Sequence, residues 1–306
     1  MVAEVLANLR VQPGGRYVDG TVGGAGHAAA ILEMSLPNGW VFGCDRDGVA
    51  VEAARKRLAR FQGYFEIRRG NFSELGGWIE RGAWDGVLLD LGVSSPQLDT
   101  ASRGFSFQQD GPLDMRMDDR QGTTAADLVN NSSVEALANI FWEFGGEPGS
   151  RRIARAIDEA RRARRFTTTF QLSQLVESVS PRYGRRTHPA TRVFQALRIA
   201  VNDELGSLRS GLAAALELLR PGGRLAVITF HSAEDRIVKE FGRRWARDYE
   251  VPGGADVPEL RRPVQPRLAI VSRKAIQPTD EELRRNPRSR SAKLRVFEIF
   301  FGGGRN

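Results

Sequence analysis

The sequence has few of the residues that build metal centres and covalent cross-links. Its 306 residues include a single cysteine, Cys44, and three histidines, His27, His188 and His231. One cysteine cannot form a disulfide within the chain, and the histidines lack the close spacing of zinc-ligand motifs. We therefore expect neither an intrachain disulfide nor a metal site.

Long apolar segments are also absent. No apolar run approaches the roughly 20 residues that a membrane-spanning helix needs. The first residues have no basic segment leading into a longer apolar stretch, as a secretory signal would have. We therefore expect a cytoplasmic protein that does not associate with a membrane.

Lysine is scarce, whereas arginine is abundant. Of 45 basic residues only four are lysines, and the net charge is +8. Residues 146–198 carry twelve arginines against four acids, and residues 236–306 carry seventeen basic residues against nine acids, so the remainder of the chain sums to −8. Arginine pairs with phosphate and stacks on unpaired bases. The two basic segments are predicted to contact nucleic acid; a merely solvated surface is the alternative.

The first ninety residues alternate strands and helices as βαβ units do. Strands are predicted at 16–19, 41–45, 65–68 and 86–90, and helices at 4–9, 26–34 and 49–60. This pattern indicates a parallel sheet covered on both faces. The next central strand, 224–229, follows more than 130 residues later, whereas a βαβ unit takes about 30 in all. A domain is therefore predicted to be inserted.

The predicted insert is helical. Its helices are expected at 134–144, 151–162, 169–180 and 190–205. Strands at 268–271 and 295–301 then add a hairpin, giving the mixed sheet edge that is typical of class I methyltransferases. We predict an α/β fold in which residues 1–96 and 206–306 build a mostly parallel, Rossmann-like sheet and residues 97–205 form the inserted helical domain.

A glycine-rich turn between Asp19 and the second helix predicts a cofactor loop. Its glycines allow tight turns and let a ligand approach the backbone. The Asp19 carboxylate would repel the pyrophosphate of NAD, but it would attract the sulfonium and ammonium of S-adenosylmethionine. Asp45 ends the second strand, where an acid reaches ribose hydroxyls in such folds. S-adenosylmethionine is the predicted cofactor; a loop without a ligand is the alternative.

Asp90, at the carboxyl end of the fourth strand, is the candidate catalytic residue. Amino-group methyltransferases carry an Asp/Asn-Pro-Pro-aromatic motif there, but its Pro-Pro-aromatic part is absent here. An exocyclic base amine is a poor nucleophile, so an enzyme must hold it in line with the methyl group and accept its hydrogen bond. The alternative for Asp90 is a residue that only fixes the loop.

Three further polar residues are candidates for substrate positioning, and two of them have a structural alternative. His231 and Ser232 follow the fifth strand, and Ser232 also fits the role of a helix cap. His188 begins a helix of the insert, where a local structural contact is the alternative.

Several long strings give the chain a resemblance to the bacterial ribosomal RNA small-subunit methyltransferase H family, also called MraW. The resemblance spans nearly the whole chain. The matching strings are Asp19-Gly20-Thr21 with Gly26-His27, residues 90–98, Arg103-Gly104-Phe105-Ser106-Phe107, residues 112–118, His188-Pro189-Ala190-Thr191-Arg192 with Phe194-Gln195-Ala196, residues 230–235 and residues 286–291.

The resemblance implies S-adenosylmethionine-dependent N4-methylation of a cytidine in small-subunit ribosomal RNA, at the decoding centre. The substrate would be the RNA or the assembled subunit, and the insert would recognise it. The resemblance leaves the oligomeric state open. The motifs assign the cofactor to Ala25, Gly26, His27, Asp45, Phe72, Asp90 and Gln97, and they make His188, Arg192, His231 and Ser232 candidates for substrate contact.

The sequence departs from the family pattern in two places. It lacks a His-x-Pro-Val segment before the first helix, which we expect to weaken cofactor enclosure. It also has Gly146 where the family has the first acid of a Gly-Glu-Glu string. The rival functions are a methyltransferase of the same fold acting on DNA or protein, an NAD-dependent dehydrogenase, and a non-catalytic RNA-binding or ribosome assembly factor.

Overall fold

The computed structural model describes residues 1–181, 187–252 and 256–300. The chain divides into two compact units. Met1–Gly92 and Leu205–Asn306 form the first unit, and Val93–Glu204 form the second. Each unit has a hydrophobic core of its own. Within the described residues, no helix combines the length and the apolar character needed to cross a membrane.

The first unit is built on a seven-stranded sheet whose strand order is β3-β2-β1-β4-β5-β9-β8. The pairs from β3 to β5 are parallel, whereas β9 runs antiparallel to both β5 and β8. The predicted α/β fold with a mixed edge is therefore confirmed. The strands are β1 Arg16–Asp19, β2 Trp40–Asp45, β3 Phe65–Arg69, β4 Trp84–Asp90, β5 Leu219–Thr229, β6 Tyr249–Glu250, β7 Arg262–Pro263, β8 Leu268–Ile270 and β9 Lys293–Ile299.

Helices flank this sheet and make up most of the second unit. The helices are α1 Val2–Leu9, α2 Gly26–Ser35, α3 Gly48–Leu58, α4 Ser95–Asp99, α5 Ala125–Asn131, α6 Val134–Glu143, α7 Ser150–Ala163, α8 Thr169–Val179, α9 Ala190–Asn202, α10 Glu204–Leu218, α11 Ser232–Trp245 and α12 Asp280–Arg285. Central strands are apolar on both faces because helices cover them, and β5 is buried from Leu225 to Thr229.

The prediction of one helix over residues 190–205 is wrong. Asp203 adopts a left-handed conformation, with φ 44° and ψ 48°, and it separates α9 from α10. Aspartate tolerates this conformation better than most residues do. The Arg198 guanidinium pairs with the Glu204 carboxylate at 2.7 Å across the turn. The apolar stripe of α9 enters the core of the second unit, whereas Leu205 belongs to the first unit.

Asn202, the last residue of α9, holds the 115–117 segment of the second unit. Its side chain is buried. The Oδ1 atom accepts a hydrogen bond from the Met117 amide, and Nδ2 donates to the Met115 carbonyl, both at 2.8 Å. Met115 has a left-handed φ of 62°, so this amide side chain stabilises a backbone turn that is unfavourable for methionine.

We expect Asn202→Ala to lower the free energy of unfolding by about 2–4 kcal/mol, because it leaves the buried Met117 amide without an acceptor. Chemical denaturation followed by circular dichroism measures the change. Asn131→Ala is the control, because Asn131 is exposed and accepts its hydrogen bond from exposed Arg165. Equal stability of the two variants would contradict the role of Asn202.

Candidate functional site

Three aspartates end neighbouring strands of the first unit. Asp19 ends β1, Asp45 ends β2 and Asp90 ends β4. These strands are adjacent and parallel in the sheet, so their carboxyl ends meet at one edge. We call Asp19, Asp45 and Asp90 the carboxylate edge. An open α/β sheet binds its ligand at this edge.

Asp45 holds the glycine-rich loop in place. Its Oδ2 accepts a hydrogen bond from the Gly23 amide at 3.0 Å, and its Oδ1 accepts one from the Asp47 amide at 2.9 Å. Burial raises the pKa of Asp45, and these backbone donors oppose the rise. The carboxylate therefore orders the loop and keeps lone pairs that are free for a ligand.

Asp19 is the most deeply buried member of the carboxylate edge. Its side chain is only 1 % exposed, and its Oδ1 accepts a hydrogen bond from the Thr21 amide at 3.2 Å. Burial raises the pKa of Asp19 to about 6, although the charge of His27 and the Thr21 amide act in the opposite direction. A buried carboxylate of this kind favours a cationic ligand.

His27 and Asp90 form an ion pair, with 3.5 Å between Nε2 and Oδ2. Burial lowers the pKa of His27, but the hydrogen bond to Asp90 and the charges of Asp90 and Asp19 outweigh burial and leave it raised. The Thr21 Oγ1 accepts a hydrogen bond from the Asp90 amide at 2.7 Å. Thr21 was not among the predicted site residues, although it follows Asp19-Gly20 directly in a string shared with the family.

Two buried polar atoms of this ion pair lack a partner among the described residues. They are Nδ1 of His27 and Oδ1 of Asp90. Buried polar groups are normally hydrogen-bonded, so each atom that is left over points to a bound ligand. Both atoms belong to residues that the sequence assigned to the site.

The loop before α2 leaves open space beside the helix. Ala25 has a left-handed φ of 58° and precedes the first helical residue, Gly26. A Cβ added at Gly24 or Gly26 would meet no heavy atom within 4 Å. The loop therefore has room for a ligand next to the backbone amides that begin α2.

Phe72 is half-buried and packs against α10. A Cβ added at Gly211 would overlap the Phe72 ring, and one added at Gly20 would lie 3.0 Å from the Phe72 Cβ. Close packing on both sides fixes the position of Phe72 near the end of β1. Its contact with an adenine ring stays a prediction.

His231, and not Ser232, is the N-cap of α11, so the interpretation of Ser232 as the cap is wrong. The His231 Nδ1 accepts a hydrogen bond from the Glu234 amide at 3.4 Å, and the Glu234 carboxylate accepts one from the Phe230 amide at 2.9 Å. Glu234 closes a capping box from a buried position. Ser232 is exposed and is the first residue of the helix.

The other predicted site residues lie in the second unit and make local contacts there. Gln97 is buried, and its Oε1 accepts a hydrogen bond from the Ser94 amide at 3.0 Å. The His188 Nδ1 accepts one from the Ala190 amide at 3.1 Å. Exposed Arg192 donates to the Gly146 carbonyl at 3.1 Å. Contacts of Gln97 with a cofactor, and of His188 and Arg192 with a substrate, stay predictions.

Comparison with known proteins identifies the family. Residues 1–300 match the model of the MraW methylase family. The chain belongs to this family. Three relatives named Ribosomal RNA small subunit methyltransferase H agree with this assignment. Those of Syntrophotalea carbinolica and Geobacter sulfurreducens are 52% and 53% identical, covering 97% of this chain and 96% and 97% of the relatives. That of Thermomicrobium roseum is 48% identical and covers 100% of this chain and 94% of the relative.

Membership of the MraW methylase family makes the chain a methyltransferase that uses S-adenosylmethionine. The site agrees with this cofactor, which has a sulfonium, an ammonium and no phosphate. The buried Asp19 carboxylate, the open loop at Gly26 and the unpartnered Nδ1 of His27 suit such a ligand. The predicted cofactor is therefore confirmed.

We expect Asp19→Asn to weaken S-adenosylmethionine binding by about tenfold or more, because the ligand loses an opposite charge. Since the folded-state pKa of Asp19 is raised to about 6 from 3.8, the stability contributed by Asp19 is full below pH 3.8 and is lost as the pH rises through 6. The same variant should therefore increase the free energy of unfolding at pH 7.5 by up to about 3 kcal/mol. Calorimetric titration and denaturation measure the two effects.

The pH dependence checks the same residue. Protonation below pH 6 removes the Asp19 charge, so the affinity of the unsubstituted protein should fall by up to about tenfold per pH unit. The affinity of the Asp19→Asn variant for the cofactor should depend less on pH. Asp85→Asn is the control, because Asp85 pairs with Arg220 near the start of β4, and its affinity for the cofactor should be unchanged. Unaltered affinity in Asp19→Asn would place the cofactor elsewhere.

We expect Gly26→Ala to fold as stably as the unsubstituted protein and to bind S-adenosylmethionine at least about tenfold more weakly. The added Cβ meets no atom of the described chain, and alanine favours a helix by about 1 kcal/mol over glycine. The methyl group would, however, occupy space that we assign to the ligand. Thermal unfolding and calorimetric titration separate the two effects.

Gly77→Ala is the matched control, because a Cβ there also meets nothing within 4 Å. It should leave both the melting temperature and the affinity unchanged. Full affinity in Gly26→Ala would show that the open space beside α2 is not used by the cofactor.

Proposed function

We propose that this chain transfers a methyl group from S-adenosylmethionine to N4 of one cytidine in small-subunit ribosomal RNA, at the decoding centre. The main support is the identity of 48% to 53%, over nearly the whole chain, with relatives named Ribosomal RNA small subunit methyltransferase H. Ribosomal RNA is thus the substrate class. The N4 position is what the family resemblance implies, and the carboxylate edge supports it by offering a hydrogen-bond acceptor to an amine.

The residues that would hold the cofactor come from the loop and the strand ends. S-adenosylmethionine supplies a methyl group on a positively charged sulfur. Asp19 would offset that charge, and Asp45 would accept hydrogen bonds from the ribose. The backbone of Ala25 and Gly26 would line the open space before α2, and the Phe72 ring would lie against the adenine.

Asp90 is the residue that we propose to act on the substrate amine. Its Oδ2 pairs with His27, and its buried Oδ1 has no partner among the described residues. The lone pair of an exocyclic base amine is delocalised into the ring, so the amine attacks only when it is held in line. Oδ1 would accept a hydrogen bond from the N4 amine and receive its proton as the methyl group moves from sulfur to nitrogen, with the S–CH3 bond broken and a neutral thioether left behind. His27 pairs with the carboxylate, and Thr21 accepts the hydrogen bond of the Asp90 backbone amide, so both keep Asp90 in position.

The second unit is the proposed substrate-recognition domain. The Trp142 side chain is 60% exposed on α6. Arg151, Arg152 and Arg155 are exposed on α7, which follows α6 in the chain. An exposed indole with exposed guanidinium groups suits unpaired RNA, because bases stack on aromatic rings while arginine binds phosphate.

The reaction itself is tested with isotopically labelled S-adenosylmethionine and unmethylated small ribosomal subunits, with nucleoside mass spectrometry to locate the label. We expect label on N4 of a single cytidine. Bare ribosomal RNA, naked DNA and protein are offered in parallel. Transfer to DNA or protein in place of ribosomal RNA, or label on another nucleoside, would overturn the proposal. Binding of ribosomal RNA without any methyl transfer would indicate a non-catalytic assembly factor.

We expect Asp90→Asn to lower the methylation rate by about 10²-fold or more, which is the usual contribution of a general base. Asparagine keeps the shape of the side chain but accepts no proton. The rate is measured under single-turnover conditions, with the cofactor affinity determined separately. The Asp85→Asn control should methylate at the unsubstituted rate. A full rate in Asp90→Asn would leave Asp90 with only its role in fixing the loop.

A further inference from the structure

Three of the four lysines of the chain line one open cleft on the first unit. The cleft has a volume of about 590 Å³. Its basic residues are Lys239, Arg243, Arg273, Lys274, Lys293 and Arg295. We call this feature the lysine cleft. In a chain with 45 basic residues and only four lysines, the clustering of three of them at one site is notable.

The six cations come from three segments that are distant in sequence. Lys239 and Arg243 lie one turn apart on α11, so they share a face of that helix. Arg273 and Lys274 follow β8, and Lys293 and Arg295 lie on β9. The lysine cleft therefore exists only in the folded first unit.

Four of the cations have no carboxylate partner within the part of the chain that the structure describes. Asp235 pairs with Arg295 at 2.7 Å and with Lys293 at 3.5 Å, and these charges lower the pKa of Asp235 although its partial burial opposes this. Lys239, Arg243, Arg273 and Lys274 are exposed and form no ion pair with any residue that the structure describes. Uncompensated like charges that face one cleft raise the local potential and attract a polyanion.

The lysine cleft begins at the same end of the sheet as the carboxylate edge. Lys293, the first residue of β9, stands opposite Thr229, the last residue of β5. Because β9 is antiparallel to β5, its first residues lie at the carboxyl ends of the parallel strands, where the carboxylate edge also lies. A long ligand in the cleft can therefore extend toward the carboxylate edge.

We propose that the lysine cleft binds the phosphate backbone of ribosomal RNA beside the nucleotide that is methylated. This proposal rests on the proposed function. The cleft is open, and four of its six cations are long, flexible and exposed, which suits a chain of phosphates better than one enclosed small anion. Lysine acts as a point charge rather than a bidentate fork, so these contacts position the backbone without reading its sequence.

The test replaces two lysines of the cleft, as Lys239→Ala with Lys274→Ala. Binding to small-subunit ribosomal RNA is measured by fluorescence anisotropy across a range of salt concentrations. Loss of two phosphate contacts should weaken binding near 0.1 M salt by about tenfold or more, and it should reduce the slope of log affinity against log salt by about 1.4–1.8. The affinity for S-adenosylmethionine should be unchanged.

The matched control is Lys56→Ala with Arg81→Ala, which removes the same charge. Lys56 is the fourth lysine and lies on α3, whereas Arg81 precedes β4; both are exposed. This pair should keep nearly the full affinity and slope. If the two double variants behave alike, net charge alone explains the binding and the proposal is overturned.

Two further measurements distinguish this proposal from the alternatives. Saturable binding of inorganic phosphate that is lost in the cleft variant, with an unchanged salt slope for RNA, would indicate a small-anion site and overturn the proposal. In methylation assays, the cleft variant should raise KM for the subunit and leave kcat nearly unchanged. The salt slope needs no turnover, so it reports on the cleft even if the unsubstituted protein methylates no ribosomal RNA.

Discussion

The burial of Asp19, beside the partly buried Asp45 and Asp90 at the same edge of the sheet, is the constraint on which the site depends. Burying a charge is costly unless donors compensate it. Backbone amides compensate Asp45 and thereby fix the glycine loop, and His27 compensates Asp90. The charge of Asp19 is the least compensated of the three, and burial raises its pKa to about 6. A cationic cofactor beside Asp19 would supply the missing compensation.

The same constraint shapes how an RNA substrate approaches. Phosphates are repelled by the carboxylate edge, whereas the neutral amine of a base is attracted to it as a hydrogen-bond donor. An enzyme with this edge must hold the backbone on cations while only the base reaches the acids. The pairing of β5 with β9 places Lys293 opposite Thr229, near the carboxyl ends of the strands. In the proposed complex, the cations of the lysine cleft would hold the phosphate backbone while the carboxylate edge receives the base.

The parallel strands were predictable, because β2, β4 and the end of β5 are short apolar runs that end at a polar residue, and β3 alternates apolar and charged residues. The carboxylate edge followed from those ends, since parallel strands bring them together. The break between α9 and α10 at Asp203 was not predictable, because it depends on one left-handed residue and an ion pair across the turn. The His231 cap was missed because histidine is not among the usual capping residues. The lysine cleft could not be predicted from the sequence, because its cations come from three segments that are distant along the chain.

The departure of Gly146 from the family pattern has a structural basis in the second unit. Gly146 has a left-handed φ of 58°, a conformation that costs a residue with a side chain about 1–2 kcal/mol. The acid that follows, Glu147, is buried, and its Oε1 accepts a hydrogen bond from the Gly149 amide at 2.9 Å. Arg192 donates to the Gly146 carbonyl from the adjacent helix. The turn is thus held by Glu147 and Arg192, and glycine at position 146 relieves backbone strain there.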